Sequence, residues 1–291
     1  MTATRRRARG RTLATIVVGI ALAVSLALGG GVAGLASAAP KPAPAGCGQN
    51  SDDPKTDKRL YLWGQVKDTA PGKVGTNIDV IKPGPQYQPS PAHPKFYAVR
   101  KGGDSKGVND DFLLLPTNRI KGIECSYLWN GSQLNLWSAA WFQATRRVAK
   151  NPAKPIALGV NSATARGQDQ LHIHLAQANP DTVADLKAIK NPATSFTNWM
   201  STNVRLRIND PKKTKTHAQF RVVKYTGSLP NLFVTLQKAL PANETMSSQS
   251  IAVIDAGTPN TYYVLNSTPG LPGQQSEHGT GLADYVYGWK Y

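Results

Sequence analysis

Five histidines occur in the 291-residue sequence, and two of them stand one residue apart in the run Gln170-Leu-His-Ile-His-Leu175. In an extended strand, side chains two apart leave from the same face. The spacing therefore predicts a polar row of Gln170, His172 and His174 backed by an apolar row of Leu171, Ile173 and Leu175. An imidazole can serve as nucleophile, proton carrier or metal ligand. A metal site would need further donors, for which Asp169, Asp181 and His217 are available, and histidines exposed on an edge strand need no role at all. The preceding loop tilts the balance toward phosphate chemistry. Asn161, Ser162, Arg166 and Gln168 can all donate hydrogen bonds to phosphoryl oxygens, and the Arg166 guanidinium adds a forked, charged contact. Without a metal, His172 is the candidate nucleophile toward phosphorus, and His174 the group that orients or donates to a phosphoryl oxygen.

The elements around this row must hold it in place. Residues 155–160, Pro-Ile-Ala-Leu-Gly-Val, form a short apolar strand that delivers the chain to the loop 161–169. Upstream, Phe96-Tyr-Ala-Val-Arg100 reads as a strand, residues 102–109 as a turn, and Asp111-Phe-Leu-Leu-Leu-Pro116 as the antiparallel partner, ended by the missing amide of Pro116. Leu134, Trp137, Trp141, Ala144 and Val148 recur at helical spacing over 132–150, with Ser132 as the cap, and this stripe reads as core rather than as a ligand cage. Asn179-Pro180 opens a short helix that turns Val183, Leu186 and Ile189 inward. A strand at 217–225, a helix at 231–240, and strands at 250–254 and 261–265 follow, before an irregular tail. The hairpin of 96–116 is faintly echoed at 251–265. Neither a glycine-rich dinucleotide fingerprint nor a phosphate loop occurs. The expected class is α+β, an antiparallel sheet packed with helices, with residues 96–291 as one catalytic unit.

The ends of the chain carry other information. Arg5, Arg6, Arg7, Arg9 and Arg11 precede an uncharged stretch over 13–35, and Ala36-Ser37-Ala38 has the form of a signal-peptidase site. Residues 1–38 therefore read as an export signal, with a retained membrane anchor as the alternative. Its removal takes away five arginines and no acid, so the formal charge falls from +17 to +12. A chain this basic is drawn to anionic membrane surfaces. Its positive residues are scattered and belong to no recognisable nucleic-acid module, which argues against a nucleic-acid partner. Residues 39–95 are rich in proline and glycine and read as an extended segment, with a brief ordered patch at Tyr61, Leu62 and Trp63. An oxidising compartment would permit a disulfide between Cys47 and Cys125 that pins this segment to the domain.

Three stretches, taken in order, are familiar. Phe112-Leu-Leu-Leu-Pro-Thr-Asn-Arg-Ile-Lys-Gly122, the helix beginning near Leu134, and Ala157-Leu-Gly-Val-Asn-Ser-Ala-Thr-Ala-Arg-Gly-Gln-Asp-Gln-Leu-His-Ile-His174 together resemble the CDP-diacylglycerol pyrophosphatase family, a branch of the histidine-triad-like (HIT-like) hydrolases. The resemblance runs over about residues 96–265. It implies a HIT-like sheet, no cofactor, and hydrolysis of CDP-diacylglycerol, or a related nucleotide diphosphate, to CMP and phosphatidate through a cytidylyl-histidine. Carried over position by position, His172 is the middle histidine of the triad and the nucleophile, and His174 is its partner at phosphate. Asn161, Ser162, Arg166 and Gln168 match the polar approach, where they hold substrate or organise the loop, and Arg119 is a substrate contact or a structural charge pair. Gln170 departs from the pattern, because the wider group commonly carries its first triad histidine there. Glutamine keeps the hydrogen bonding and loses the titration. The alternatives are a metal-dependent phosphoesterase and a non-enzymatic binder of nucleotide or anionic lipid.

Overall fold

Runs of alternating and fully apolar residues build one long antiparallel sheet. A computed structural model describes residues 46–67, 78–81, 97–102, 111–130, 135–148, 154–276, 279–280 and 282–289. By its internal contacts the chain divides into Met1–Lys41 and Pro42–Tyr291, and every described residue belongs to the second unit. The export signal expected at 1–38 lies outside the described residues. In chain order the elements are α1 (Tyr61–Val66), β1 (Ile78–Ile81), β2 (Tyr97–Lys101), β3 (Phe112–Pro116), α2 (Leu136–Arg147), β4 (Ile156–Val160), β5 (Ile173–Gln177), α3 (Pro180–Lys187), β6 (Asn203–Arg207), β7 (His217–Thr226), α4 (Leu232–Ala239), β8 (Ser250–Asp255) and β9 (Thr261–Ser267). The nine strands form one sheet in the order β1-β2-β3-β5-β4-β8-β9-β7-β6. All neighbours are antiparallel.

That order contains a repeat. The unit β2-β3-α2-β4-β5 recurs as β6-β7-α4-β8-β9, and the two copies meet where β4 pairs with β8. The echo heard in the sequence matched the wrong hairpins: β2 and β3 correspond to β6 and β7, not to β8 and β9. Hairpins share one alternating pattern, so only pairing distinguishes them.

Helices α2 and α4 cover the same face. Trp137, Ala140 and Ala144 of α2 and Leu232, Phe233 and Leu236 of α4 are buried with Leu114, Leu158, Ile173, Leu175, Val253 and Val264 in the main core. The α2 cap is Asn135, whose side chain accepts from the amides of Trp137 and Ser138, while the expected cap Ser132 lies outside the described residues. Asn179 caps α3, with Pro180 in its first turn, as the spacing requires.

The opposite face carries two smaller clusters. Leu60, Leu62, Trp63 and Val66 pack over Ala98, Leu113 and Leu115. Val183 and Leu186 of α3, with Tyr285, Val286, Tyr287 and Trp289 of the C-terminal segment, pack with Ala157, Ala176, Phe220, Ala252 and Leu265. The described part of the 39–95 segment is thus not an extended tether. Its apolar residues Leu60, Leu62, Trp63 and Val66 have a sheet face to cover, Cys47 is disulfide-bonded to Cys125, and β1 lengthens the sheet beyond β2. His174 sits between the two clusters, paired on one side with Leu113 and on the other with Gly159.

Candidate active site

The strand that carries the histidines is shorter than the alternation suggests, starting only at Ile173. Leu114 pairs with Ile173, so continuing the register would set Pro116, which has no amide hydrogen, against Leu171. The ladder stops there. The amide of Leu171 turns instead to the carbonyl of Ile120, and that of Asp169 to the carbonyl of Arg59. Gln170 consequently leaves the histidine row. Its side chain is fully buried, donating to the carbonyls of Pro116 at 2.9 Å and Asn118 at 2.8 Å and accepting from the Ile120 amide at 3.4 Å. Gln170 therefore holds the exit of β3 in place.

The other polar residues of the approach are similarly committed. Arg166 donates two bonds to the Glu124 carboxylate, at 2.7 and 2.5 Å, and a third to Asp169 at 3.1 Å. Asp169 also receives Arg59 at 2.8 Å. Burial opposes ionisation of Asp169, and the hydrogen bonds and charges of Arg59 and Arg166 overcome it, holding this carboxyl below its ordinary range. Arg119 pairs with Asp52 at 2.8 Å and donates to the backbone carbonyl of Asp169. Gln168 accepts from the Leu62 amide at 3.1 Å and donates to the Lys58 carbonyl at 3.1 Å, clasping the N-terminal segment. Ser162 is fully buried, and its carbonyl takes the amides of Ala165 and Arg166 in a tight turn. Asn161 binds the C-terminal segment, donating to Asp284 at 2.8 Å and accepting from the Ala283 amide at 2.7 Å. These residues form a lattice that fixes the loop on which His172 stands.

What the lattice presents is the histidine pair. The rings of His172 and His174 stand edge to face with centroids 5.0 Å apart. His172 is 9% exposed, and its Nδ1 lies 2.7 Å from the carbonyl oxygen of Gln170. A carbonyl can only accept, so Nδ1 carries the proton and Nε2 keeps its lone pair. Burial, with the neighbouring His174 in support, pushes the pKa of His172 down to about 3. At neutral pH the ring is an uncharged base with its free nitrogen fixed in direction. The His174 ring lies 5.3 Å from that of Trp289 and 5.7 Å from that of Tyr287. Tyr287 comes this close because Gly159, the strand partner of His174, has no side chain: a Cβ there would stand 2.0 Å from the tyrosine oxygen.

Among the described residues, no group of three or more His, Cys, Asp or Glu side chains stands close enough to hold a metal ion. Asp169 is engaged by arginines, Asp181 pairs with Arg207 at 2.9 Å, and His217 bonds Thr216 at 2.9 Å.

Residues 94–285 match the family model for CDP-diacylglycerol pyrophosphatase. The chain belongs to the CDP-diacylglycerol pyrophosphatase family. It is 30% identical over 161 residues, 54% of its own length, to a protein of Mycobacterium leprae (strain TN) named a probable CDP-diacylglycerol pyrophosphatase, and covers 57% of that protein. To CDP-diacylglycerol pyrophosphatases of Mycobacterium bovis (strain BCG / Pasteur 1173P2) and Mycobacterium tuberculosis (strain ATCC 25177 / H37Ra) it is 39% identical over 93 residues, 30% of this chain and 35% of each relative. The family match takes in β2 to β9 and both histidines, and it ends before Tyr287 and Trp289.

Sequence reasoning missed Asp111, Asp284, Tyr287 and Trp289 as neighbours of the site. In the sequence Asp111 reads only as the start of a strand, and the C-terminal residues only as an irregular tail. Nothing in their local pattern marks them, because each reaches the histidines by strand register or by the return of the C-terminal segment across the sheet.

Proposed function

We propose that this member of the CDP-diacylglycerol pyrophosphatase family hydrolyses the pyrophosphate bond of CDP-diacylglycerol, giving CMP and phosphatidate. The observation that carries the reading is the Nδ1 contact of His172 to the Gln170 carbonyl, which leaves Nε2 unprotonated with its lone pair free to attack phosphorus. Nε2 forms a bond to the CMP-side phosphorus, the bridging P–O bond breaks, and phosphatidate leaves with the electron pair. His174 stands beside the reacting phosphoryl group. Water then attacks the same phosphorus, the P–N bond returns its electrons to Nε2, the proton of the water is released, and CMP departs. The leaving group is a phosphate, so the first step needs less proton assistance than loss of an alkoxide.

The proposed place of action is outside the cytoplasm, at the cell envelope or beyond. The arginine-rich start, the apolar stretch and Ala36-Ser37-Ala38 support export, and the Cys47–Cys125 bond suits an oxidising compartment. A formal charge of +12 after removal of residues 1–38 favours contact with an anionic lipid surface, where the substrate resides.

The test is to offer the purified chain CDP-diacylglycerol and a soluble CDP-alcohol and to quantify CMP. We expect release from both, and His172→Ala to lower it by roughly a thousandfold or more while the fold is retained. CMP release unchanged in that variant would remove the assignment of the nucleophile.

A further inference from the structure

Asp111 is a buried acid that the mechanism above does not use. Asp111 immediately precedes β3, two residues before Leu113, and Leu113 is the strand partner of His174. Alternation sets the Asp111 side chain on the face that carries His174. The residue is 7% exposed, and its Oδ1 lies 3.6 Å from Nδ1 of His174. Both atoms are buried, and neither has a hydrogen-bond partner among the described residues.

A separation of 3.6 Å is just too long for a hydrogen bond. The two groups are complementary, however, since an ionised carboxylate can only accept and a protonated ring nitrogen can donate. Leaving both buried atoms unsatisfied is costly, so a small rotation that closes the gap is favoured. Catalytic hydrogen bonds are often long in the free enzyme and tighten with substrate. Gly102 makes room for the carboxylate, because a Cβ there would stand 2.5 Å from Asp111 Oδ2. Among the described residues, the rings in contact with that of His174 are those of His172, Tyr287 and Trp289, and none of them carries a carboxylate.

We propose that Asp111 is the positioning residue of His174: its carboxylate accepts the Nδ1 proton and thereby presents Nε2 of His174 as the base for the hydrolytic step. In that step the water oxygen bonds to phosphorus, the P–N bond to His172 breaks with its electron pair returning to the ring, and the water proton passes to Nε2 of His174. The resulting imidazolium faces the Asp111 carboxylate until the proton is lost to solvent with departure of CMP. Attack by His172 in the first step does not require this base. The inference rests on the histidine pair being the reactive centre.

The experiment combines rapid-quench kinetics with nitrogen NMR of His174. In the intact chain His174 should show the tautomer protonated at Nδ1. Asp111→Asn should melt close to the parent, release one equivalent of phosphatidate in a burst, and then release CMP roughly a hundredfold or more slowly, with KM changed only a few-fold. Asp111→Glu should recover part of the second rate. Equal slowing of both steps, unchanged turnover, or a parent chain protonated at Nε2 of His174 would overturn the proposal. The NMR result needs only the parent chain, so it decides the matter if the asparagine variant does not fold. It also separates the two readings: a chain that releases no CMP removes the proposed function, and the ring nitrogens then decide alone whether Asp111 positions His174.

Discussion

At the residue scale, two histidines of one strand end are given different surroundings. His172 has a carbonyl for Nδ1 and little water, and its pKa falls to about 3. A nitrogen-detected titration should therefore show no protonation of this ring between pH 8 and 5. The same shift sets a sign for stability. The unfolded chain takes up a proton near the ordinary histidine pKa of about 6.5 and the folded chain does not, so this contribution is unchanged above that pH and declines as the pH falls from about 6.5 toward 3. Denaturant midpoints measured across that window should decrease toward acid, and the decrease should be smaller in His172→Gln. Gln170 illustrates a different use of a polar side chain. Its amide satisfies the carbonyls of Pro116 and Asn118, the first of them buried, so Gln170→Ala should lower unfolding free energy by about 1–3 kcal/mol in urea titrations. A histidine at this position could not replace both donors from one ring edge.

At the element scale, the loop 161–172 is held from three directions. The N-terminal segment supplies Arg59 and Asp52, the turn after β3 supplies Arg119 and Glu124, and the C-terminal segment supplies Asp284. Arg166 lies at the centre with 3% of its side chain exposed, between carboxylates of Glu124 and Asp169 exposed by 15% and 11%. Removing one member of such a cluster leaves buried charge uncompensated. Arg166→Ala should cost about 3–5 kcal/mol in unfolding free energy, and CMP release should fall with it as the loop loosens. If stability is unchanged and only KM rises, Arg166 contacts substrate and is not a strut.

At the scale of the whole molecule, the doubled strand-strand-helix-strand-strand unit carries the histidine pair in one half only. β5 has His172 beside it and His174 within it, whereas its counterpart β9 reads Thr-Tyr-Tyr-Val-Leu-Asn-Ser and has no histidine. The second half extends the sheet and supplies, through β8, the neighbour that buries β4. Trapping with substrate labelled at the CMP-side phosphorus and quenching in alkali should accordingly yield at most one labelled group per chain. Two per chain would mean a second nucleophile outside the β5 end.

Much was legible before any coordinates. Alternation from Ile173 onward, the apolar runs of β3 and β4, and the Asn-Pro start of α3 depend on neighbours within a few residues, where side-chain period and capping chemistry act directly. The sequence likewise singled out the histidine pair, because rarity and spacing are local properties. Other features were decided by packing between distant segments. Gln170 turned away from the row because Pro116 ended the ladder, Arg119 and Arg166 were taken up by carboxylates from up to 67 residues away, and residues 58–66 folded because an apolar sheet face stood ready to cover. Whether a polar side chain faces a substrate or another part of the protein depends on which charges the fold brings beside it, and a linear pattern carries no record of that.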